Sequence, residues 1–435
     1  VEYRLEAAFH RYKYRNPAEA GTPTTARAVE IYPMATSLPQ VEVLHEEATL
    51  SVAPPQTSPV ATKSRRYALL DAWRGVACVA VVIYHATMQV VPVIEPGETW
   101  SQTLGYWLVQ ITGLMWVGVP MFFVISGYCI FATLERSLER GEGLRQYFFR
   151  RFRRIYPPYW VALALCVAAI VAIEFGWPGL MTGGYFTIVG PQQLNPAAWF
   201  GNVTLTESWR AHLGGGPTNF LLPHVWTLCY EEQFYFVAGL MLLLAPRRLY
   251  AAAGLVSLAV VATMVLSKKL GVSVEGTFLD GRWLLFAAGI LVFYAVHKAG
   301  DRVRAGICVA LAVSAALLLA SGGVPWAIHL NNNLERFTAL LFALALIVLY
   351  RRDKQLSTQR WMRPLTWCGT MCYSLYLTHA LVTKAIGHAT FELGYTGAWQ
   401  TLGVVVPLSL AISLPVAWTF YLMVERRFLN STASR

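Results

Sequence analysis

Apolar residues recur along this chain in long blocks, each closed by a short polar or basic stretch. The blocks are longer than the 3.6-residue stripes of a soluble helix bundle and read as whole membrane spans. The first runs from Tyr67 to Val91, YALLDAWRGVACVAVVIYHATMQVV. A helix of that length, rising about 1.5 Å per residue, crosses about 30 Å of hydrocarbon. Further spans are expected at 104–134, 155–175, 219–245, 250–266, 282–297 and 305–321, in a block ending near Tyr350, and at 366–386 and 401–424. The pattern predicts an all-α, polytopic membrane protein of about ten transmembrane helices.

Charge then orders the blocks. Arg65 and Arg66 precede the first, and seven arginines lie in residues 135–154. Arg247 and Arg248, then Lys298, Arg302 and Arg304, then five basic residues in RRDKQLSTQRWMRP, and finally Arg426 and Arg427 mark every second junction. The positive-inside rule puts these on one side and both termini in the cytoplasm. Lys268 and Lys269 fall on the outer side, against the rule. Residues 176–217 form a long outer connection, and a shorter outer loop holds HLNNN. Residues 1–66 are expected to be a flexible cytoplasmic leader, basic at its start, rich in Pro, Thr, Ala and Ser, and without a signal-peptide pattern. The membrane domain is expected over 67–427, with 428–435 as a C-terminal tail.

Composition agrees. Of 435 residues, 56% are hydrophobic and 14% charged, where soluble domains carry about a quarter. Fifteen tryptophans and twenty-one tyrosines suit interfacial belts. The formal charge of +11 is arranged by topology, so no nucleic-acid partner is expected. Seven scattered cysteines show neither metal-site nor disulfide spacing, so no metal is expected either.

Ionisable groups inside spans are costly and mark polar cavities or partners. The first span holds Asp71, Arg74 and His85. Eleven residues make close to three turns, so Arg74 and His85 share a face roughly 16 Å apart, with Arg74 nearer the cytoplasm. A buried histidine can accept a hydroxyl proton and return it, or simply hydrogen-bond within a bundle. Glu231 and Glu232 sit side by side in HVWTLCYEEQFYF. Neighbours point about 100° apart, so one is expected to serve a site, with Glu231 favoured over Glu232. Arg150, Arg151, Arg153 and Arg154 either anchor the third span or grip a phosphorylated cytoplasmic ligand. Ser126 and Gly127 in FFVISGY permit close helix contact or open room for a narrow ligand. No GxSxG elbow surrounds Ser126. His224 and His379 are polar groups near outer span ends, structural, acceptor-side or catalytic.

Arg74-x10-His85, FFVISGY at 122–128, RRFRRIYPPYW at 150–160, WTLCYEEQFYF at 226–236 and YSLYLTHALV at 373–382 come in an order that resembles the membrane acyltransferase-3 family. These proteins O-acylate bacterial polysaccharides, lipopolysaccharide, peptidoglycan and some macrolides. The resemblance covers residues 67–425 and implies a ten-helix core in a bacterial cytoplasmic (inner) membrane. It implies acyl-coenzyme A, with acetyl the commonest donor group, and a carbohydrate, glycolipid or small-molecule acceptor. By resemblance His85 is the general base and Arg74 its partner. Arg151 and Arg154 match the family's R-x-x-R, and Glu231 matches its carboxylate. Thr227, Cys229 and Tyr230 depart from the usual pattern. No fused outer esterase-like domain is expected after the last span, so the membrane core is expected to acylate the acceptor itself.

The implied chemistry is direct transfer. Donor phosphates would dock at Arg150, Arg151 and Arg154, with Ser126 and Gly127 making room for the donor. A pantetheine arm of roughly 15–20 Å would reach His85 from inside. The acceptor would arrive from outside or from lipid, beside His224, Glu232 and His379. A transporter or flippase of a lipid-linked sugar would use the same buried charges without consuming thioester. No internal repeat supports it.

Overall fold

A computed structural model describes residues 67–89, 99–181, 188–213, 216–321 and 332–429, which belong to one compact unit, Ser64–Arg435. The expected leader, most of HLNNN and most of the C-terminal tail lie outside the described residues. All regular structure described is helical. The main helices are α1 (Leu70–Thr87), α2 (Trp100–Gly113), α3 (Gly118–Glu139), α4 (Leu144–Gly176), α5 (Pro196–Thr204) and α6 (Trp226–Leu244). They continue with α7 (Leu249–Leu270), α8 (Trp283–His297), α9 (Asp301–Ala320), α10 (Asn332–Leu349), α11 (Arg363–Thr370), α12 (Cys372–Glu392) and α13 (Val406–Phe420).

Helix α1 is walled in by α3, α11, α12 and α13. Small residues set these distances. A Cβ on Gly75 would stand 1.9 Å from the Leu365 carbonyl oxygen of α11, and one on Gly369 would stand 1.7 Å from that of Asp71. The two helices therefore touch backbone to backbone, as small residues allow in membranes. At the start of α1, Asp353 accepts the amides of Ala68 at 2.7 Å and Leu69 at 2.8 Å. A carboxylate there satisfies orphan donors and complements the helix dipole.

Six stretches among the described residues are long and apolar enough to cross a bilayer: Trp100–Glu139, Leu144–Gly176, Pro246–Leu270, Asp301–Ala320, Asn333–Ser357 and Ala398–Phe428. This corrects the expected count downward, and the reason is physical. Helix α8 is apolar but only 15 residues long. Helices α1, α6 and α12 carry Asp71, Arg74 and His85, then Glu231 and Glu232, then His379 and Lys384, which lower their hydropathy. The helices that miss the criterion are mostly those bearing the candidate chemistry. In contrast α7 and α9 turn Leu255, Leu258, Val265, Val309, Val313 and Leu317 outward. A surface of that kind belongs in lipid, not water.

Several boundaries differ from expectation, and two of the differences bear on the site. Span three was placed from Ile155, with Pro157 and Pro158 at a helix start; α4 instead begins at Leu144 and carries both prolines inside. The arginine cluster is thus part of the helix, and Arg150 and Arg151 donate to Ser137 and Thr133 of α3. Span nine is divided at Met371 into α11 and α12.

Candidate active site

Arg74, Cys78, Val82 and His85 follow one another at three- and four-residue steps, so they line one face of α1. At one end, Arg74 donates from Nη1 to Asp71 Oδ1 at 2.8 Å and from Nη2 to Cys129 Sγ of α3 at 3.0 Å. One turn on, the Cys78 thiol donates to the Cys372 carbonyl at 3.4 Å. Next comes a cavity of about 10 Å³, room for about one water, lined by Cys78, Val81, Val82, Phe122, Leu375, Tyr376 and His379. At the far end the His85 ring stands 5.1 Å from that of His379 and 6.4 Å from that of His224, centre to centre. His224 and His379 are 4.8 Å apart. Three histidines far apart in the chain meet in one place.

Two of them sit on backbone that is tied to its neighbours. The 3-10 turn Pro223–Val225 carries His224, whose carbonyl accepts from Tyr376 at 3.0 Å and Thr227 at 3.2 Å. The Tyr376 ring packs edge-on against the His224 imidazole at 4.8 Å. The loop leading into this turn is tied down by Asn202, which accepts the Leu221 amide, and by the buried Glu207–Arg210 pair. His379 lies on α12 with Nδ1 at 2.9 Å from the Leu375 carbonyl and 2.8 Å from that of Tyr376. Both His224 nitrogens and His379 Nε2 are buried without hydrogen-bond partners. Among the described residues no group of three His, Cys, Asp or Glu is arranged to hold a metal ion.

Glu231 lies seven residues beyond His224, roughly 10 Å along the helix axis. It accepts from Tyr235 at 2.8 Å, while Glu232 accepts from Tyr156 at 3.4 Å. The two carboxylates thus face different partners. The Arg151 guanidinium covers the Tyr235 ring at 5.3 Å and donates to Thr133 at 2.8 Å, forming a chain Arg151–Tyr235–Glu231. Arg150 pairs with Glu142 in the turn before α4 and donates to Ser137 at 3.0 Å. That guanidinium holds the Glu142 carboxyl below the usual carboxylate range. Arg154 is exposed on α4.

Gly127 is a helix contact: a Cβ there would stand 2.0 Å from the Phe286 carbonyl of α8, and Gly289 meets Val124 in the same way. Ser126 is half-buried beside it. One carboxylate went unnoticed in the sequence. Glu425, in the π-helical turn Tyr421–Glu425, is buried and accepts the Ser374 amide at 3.0 Å and its hydroxyl at 2.5 Å. Arg74 and Arg154 both act on it electrostatically. The adjacent Arg426 and Arg427 had marked that segment only as an inner anchor; an acid directly at the end of the expected span was the available signal.

Residues 67–422 match the family model described as an acyltransferase domain. Acyltransferase MdmB of Streptomyces mycarofaciens is 26% identical over 348 residues, covering 75% of this chain and 84% of that protein. A putative acetyltransferase, ORF330, of Acidianus two-tailed virus is 24% identical over 339 residues, 75% and 87% of the two chains. Peptidoglycan O-acetyltransferase OatA of Listeria monocytogenes is 28% identical over 179 residues, 40% of this chain and 24% of that one. No solved structure matches. With the family model spanning nearly all of the chain beyond the first 66 residues, this multi-pass α-helical membrane protein belongs to the acyltransferase-3 family.

Proposed function

We propose that this chain moves an acyl group, acetyl first among them, from cytoplasmic acyl-coenzyme A to a hydroxyl of a carbohydrate-containing acceptor, at the outer side of or within a bacterial inner membrane. The observation that carries the reading is the single face of α1 from Arg74 through the cavity to His85. That face carries a guanidinium at one end, a water-sized void beside Cys78 and Val82 in the middle, and an imidazole at the other end. The peptidoglycan O-acetyltransferase relative makes acetyl and a glycan the first pair to try.

In this reading α1, α6, α8 and α12 cross the membrane alongside the six longer stretches, with both termini cytoplasmic. Residues 67–427 are the catalytic unit, between a leader at 1–66 and a tail at 428–435. The exposed guanidinium of Arg154 meets donor phosphate, a match of planar donors to an anion. Arg150 and Arg151, already tied to Glu142 and to Thr133 and Tyr235, hold the helix that presents it. Val82, Phe122 and Leu375 exclude water around the thioester arm. His85 takes the proton of the acceptor hydroxyl as that oxygen attacks the thioester carbonyl. His224 and Glu232 lie on the acceptor side, and Arg74 and Glu231 set local charge.

The test is release of coenzyme A thiol from acetyl-coenzyme A by purified protein, with and without soluble oligosaccharides. Acceptor-dependent release lost in His85→Ala, with donor binding retained, is expected. Full turnover in that variant would end the assignment.

A further inference from the structure

Three side chains of α4 reach the end of a short helix in the outer connection. Tyr156, Tyr159 and Trp160 are spaced i, i+3 and i+4, so they stand together on one side of α4. Tyr159 donates to the Asn202 carbonyl at 2.6 Å and Trp160 Nε1 to that of Val203 at 2.9 Å. Tyr156 donates to that of Thr204 at 3.2 Å, the nearer of its two acceptors. The Gly201 carbonyl accepts the Thr206 amide at 2.9 Å. These are the last four carbonyls of α5, the ones a helix leaves without an internal partner. Leu205 then turns the chain in the left-handed region, at φ 59°. Helix α4 thus supplies most of the cap of α5, in the middle of a stretch long enough to cross the membrane, where water cannot serve bare backbone.

The contact at Asn202 leads further. Asn202 is only 1% exposed, and its side-chain amide is fully used. Its Nδ2 donates to the Ala198 carbonyl at 2.8 Å and to the Asn219 carbonyl at 2.7 Å, and its Oδ1 accepts the Leu221 amide at 3.0 Å. Leu221 lies two residues before the 3-10 turn Pro223–Val225 that carries His224. The Leu222 carbonyl closes that turn by accepting the Val225 amide at 3.0 Å. Both ring nitrogens of His224 are buried without hydrogen-bond partners, so no bond from the ring fixes its place. The backbone beneath it does.

We propose that Tyr159 and Asn202 position His224 for the acceptor. Tyr159 fixes the end of α5 against α4, and Asn202 passes that placement to the chain entering the His224 turn. The inference rests on the reading of His224 as an acceptor-side group and adds two residues that act through it. Neither meets the acyl group. Helix α4, which carries Arg150, Arg151 and Arg154 for the donor, therefore also sets where the acceptor end stands, and both ends share one frame. A fault in this route belongs in acceptor binding, not in the use of donor.

Two substitutions separate this role from a structural one. Tyr159→Phe removes one hydroxyl and keeps the buried ring. Asn202→Leu keeps the volume and cuts the bonds to Asn219 and Leu221. Full-length protein in nanodiscs is assayed for coenzyme A release from acetyl-coenzyme A, with soluble peptidoglycan fragments among the oligosaccharides offered. Tyr159→Phe is expected to raise the acceptor KM about fivefold, the worth of one hydrogen bond. Asn202→Leu should raise it about thirtyfold, since a buried amide and a buried carbonyl both lose their partner. In both variants kcat and the donor KM should stay at their wild-type values, whereas a general loosening would move all three. The double variant should match Asn202→Leu alone, because the two residues act along one route. A wild-type acceptor KM in Tyr159→Phe, equal rises in donor and acceptor KM, or additive effects in the double variant would each overturn the inference. Tyr159→Phe decides alone if Asn202→Leu does not fold. An unchanged acceptor KM in His224→Ala would instead overturn the acceptor-side reading of His224, and wild-type protein that consumes no acetyl-coenzyme A with any acceptor would overturn the acyl-transfer reading beneath both.

Discussion

At the scale of single residues, the site is built from side chains whose partners are unusually specific for a membrane interior. Arg74 is bidentate in effect, with one arm on Asp71 and one on Cys129. Lysine at 74 keeps the charge but has no second planar arm. Arg74→Lys is expected to weaken donor use about tenfold, the worth of one hydrogen bond to a charged group, seen as a raised KM for acetyl-coenzyme A. An unchanged KM would show that the Cys129 contact is idle. The histidine cluster has the opposite character, with three buried ring nitrogens unmet on His224 and His379. Buried polar atoms are nearly always satisfied, so three unmet ring nitrogens close to His85 stand out among the described residues.

Helices meet through carbonyls and small residues, which makes the elements intolerant of added volume. Gly127 of α3 and Gly289 of α8 each face a backbone carbonyl at a distance no Cβ accepts. Gly127→Ala is therefore expected to destabilise by about 1–3 kcal/mol, as overpacking does, read as a lower melting temperature in detergent. An unchanged melting temperature would mean that α3 and α8 can separate freely. The loop carrying His224 depends on Arg210, which donates to Glu207 at 2.6 and 2.7 Å and to the Pro217 carbonyl at 2.9 Å. Breaking a buried ion pair by removing one partner costs about 3–5 kcal/mol. Arg210→Leu should thus lower both melting temperature and turnover, whereas a fully active variant would place His224 outside the reaction. The turn before α4 adds a pH dependence. Arg150 depresses the folded carboxyl of Glu142, so the pair stabilises above the ordinary glutamate range near about 4.3 and fades as pH falls through and below it. Glu142→Gln should remove that acid-side change from the melting curve and lower stability at neutral pH.

For the whole molecule, the decisive question is which helices cross. Seven free cysteines can be replaced, and single cysteines introduced at Glu275 and Arg302 then report sidedness. A membrane-impermeant maleimide should label position 275 from outside and position 302 only after permeabilisation. Both positions reacting from one side would break the ten-span arrangement at α8. How much could be known beforehand divides along physical lines. Apolar block length and the alternation of basic residues are local properties, governed by transfer to lipid. Class, helix order and the shared face of Arg74 and His85 were therefore legible in residues 67–429 without coordinates. Pro157 misled because a proline favours a helix start but does not require one: α4 begins at Leu144 and runs through Pro157 and Pro158, with Arg150 and Arg151 bonded to Ser137 and Thr133. Meetings between distant segments are decided by packing, since close helix contact depends on which carbonyl stands opposite which glycine. That packing gathered His224 and His379 around His85, assigned Tyr235 to Glu231 and Tyr156 to Glu232, and brought Glu425 to Ser374. The residue types marked costly polar groups inside a membrane; only the tertiary structure decided which of them stand together.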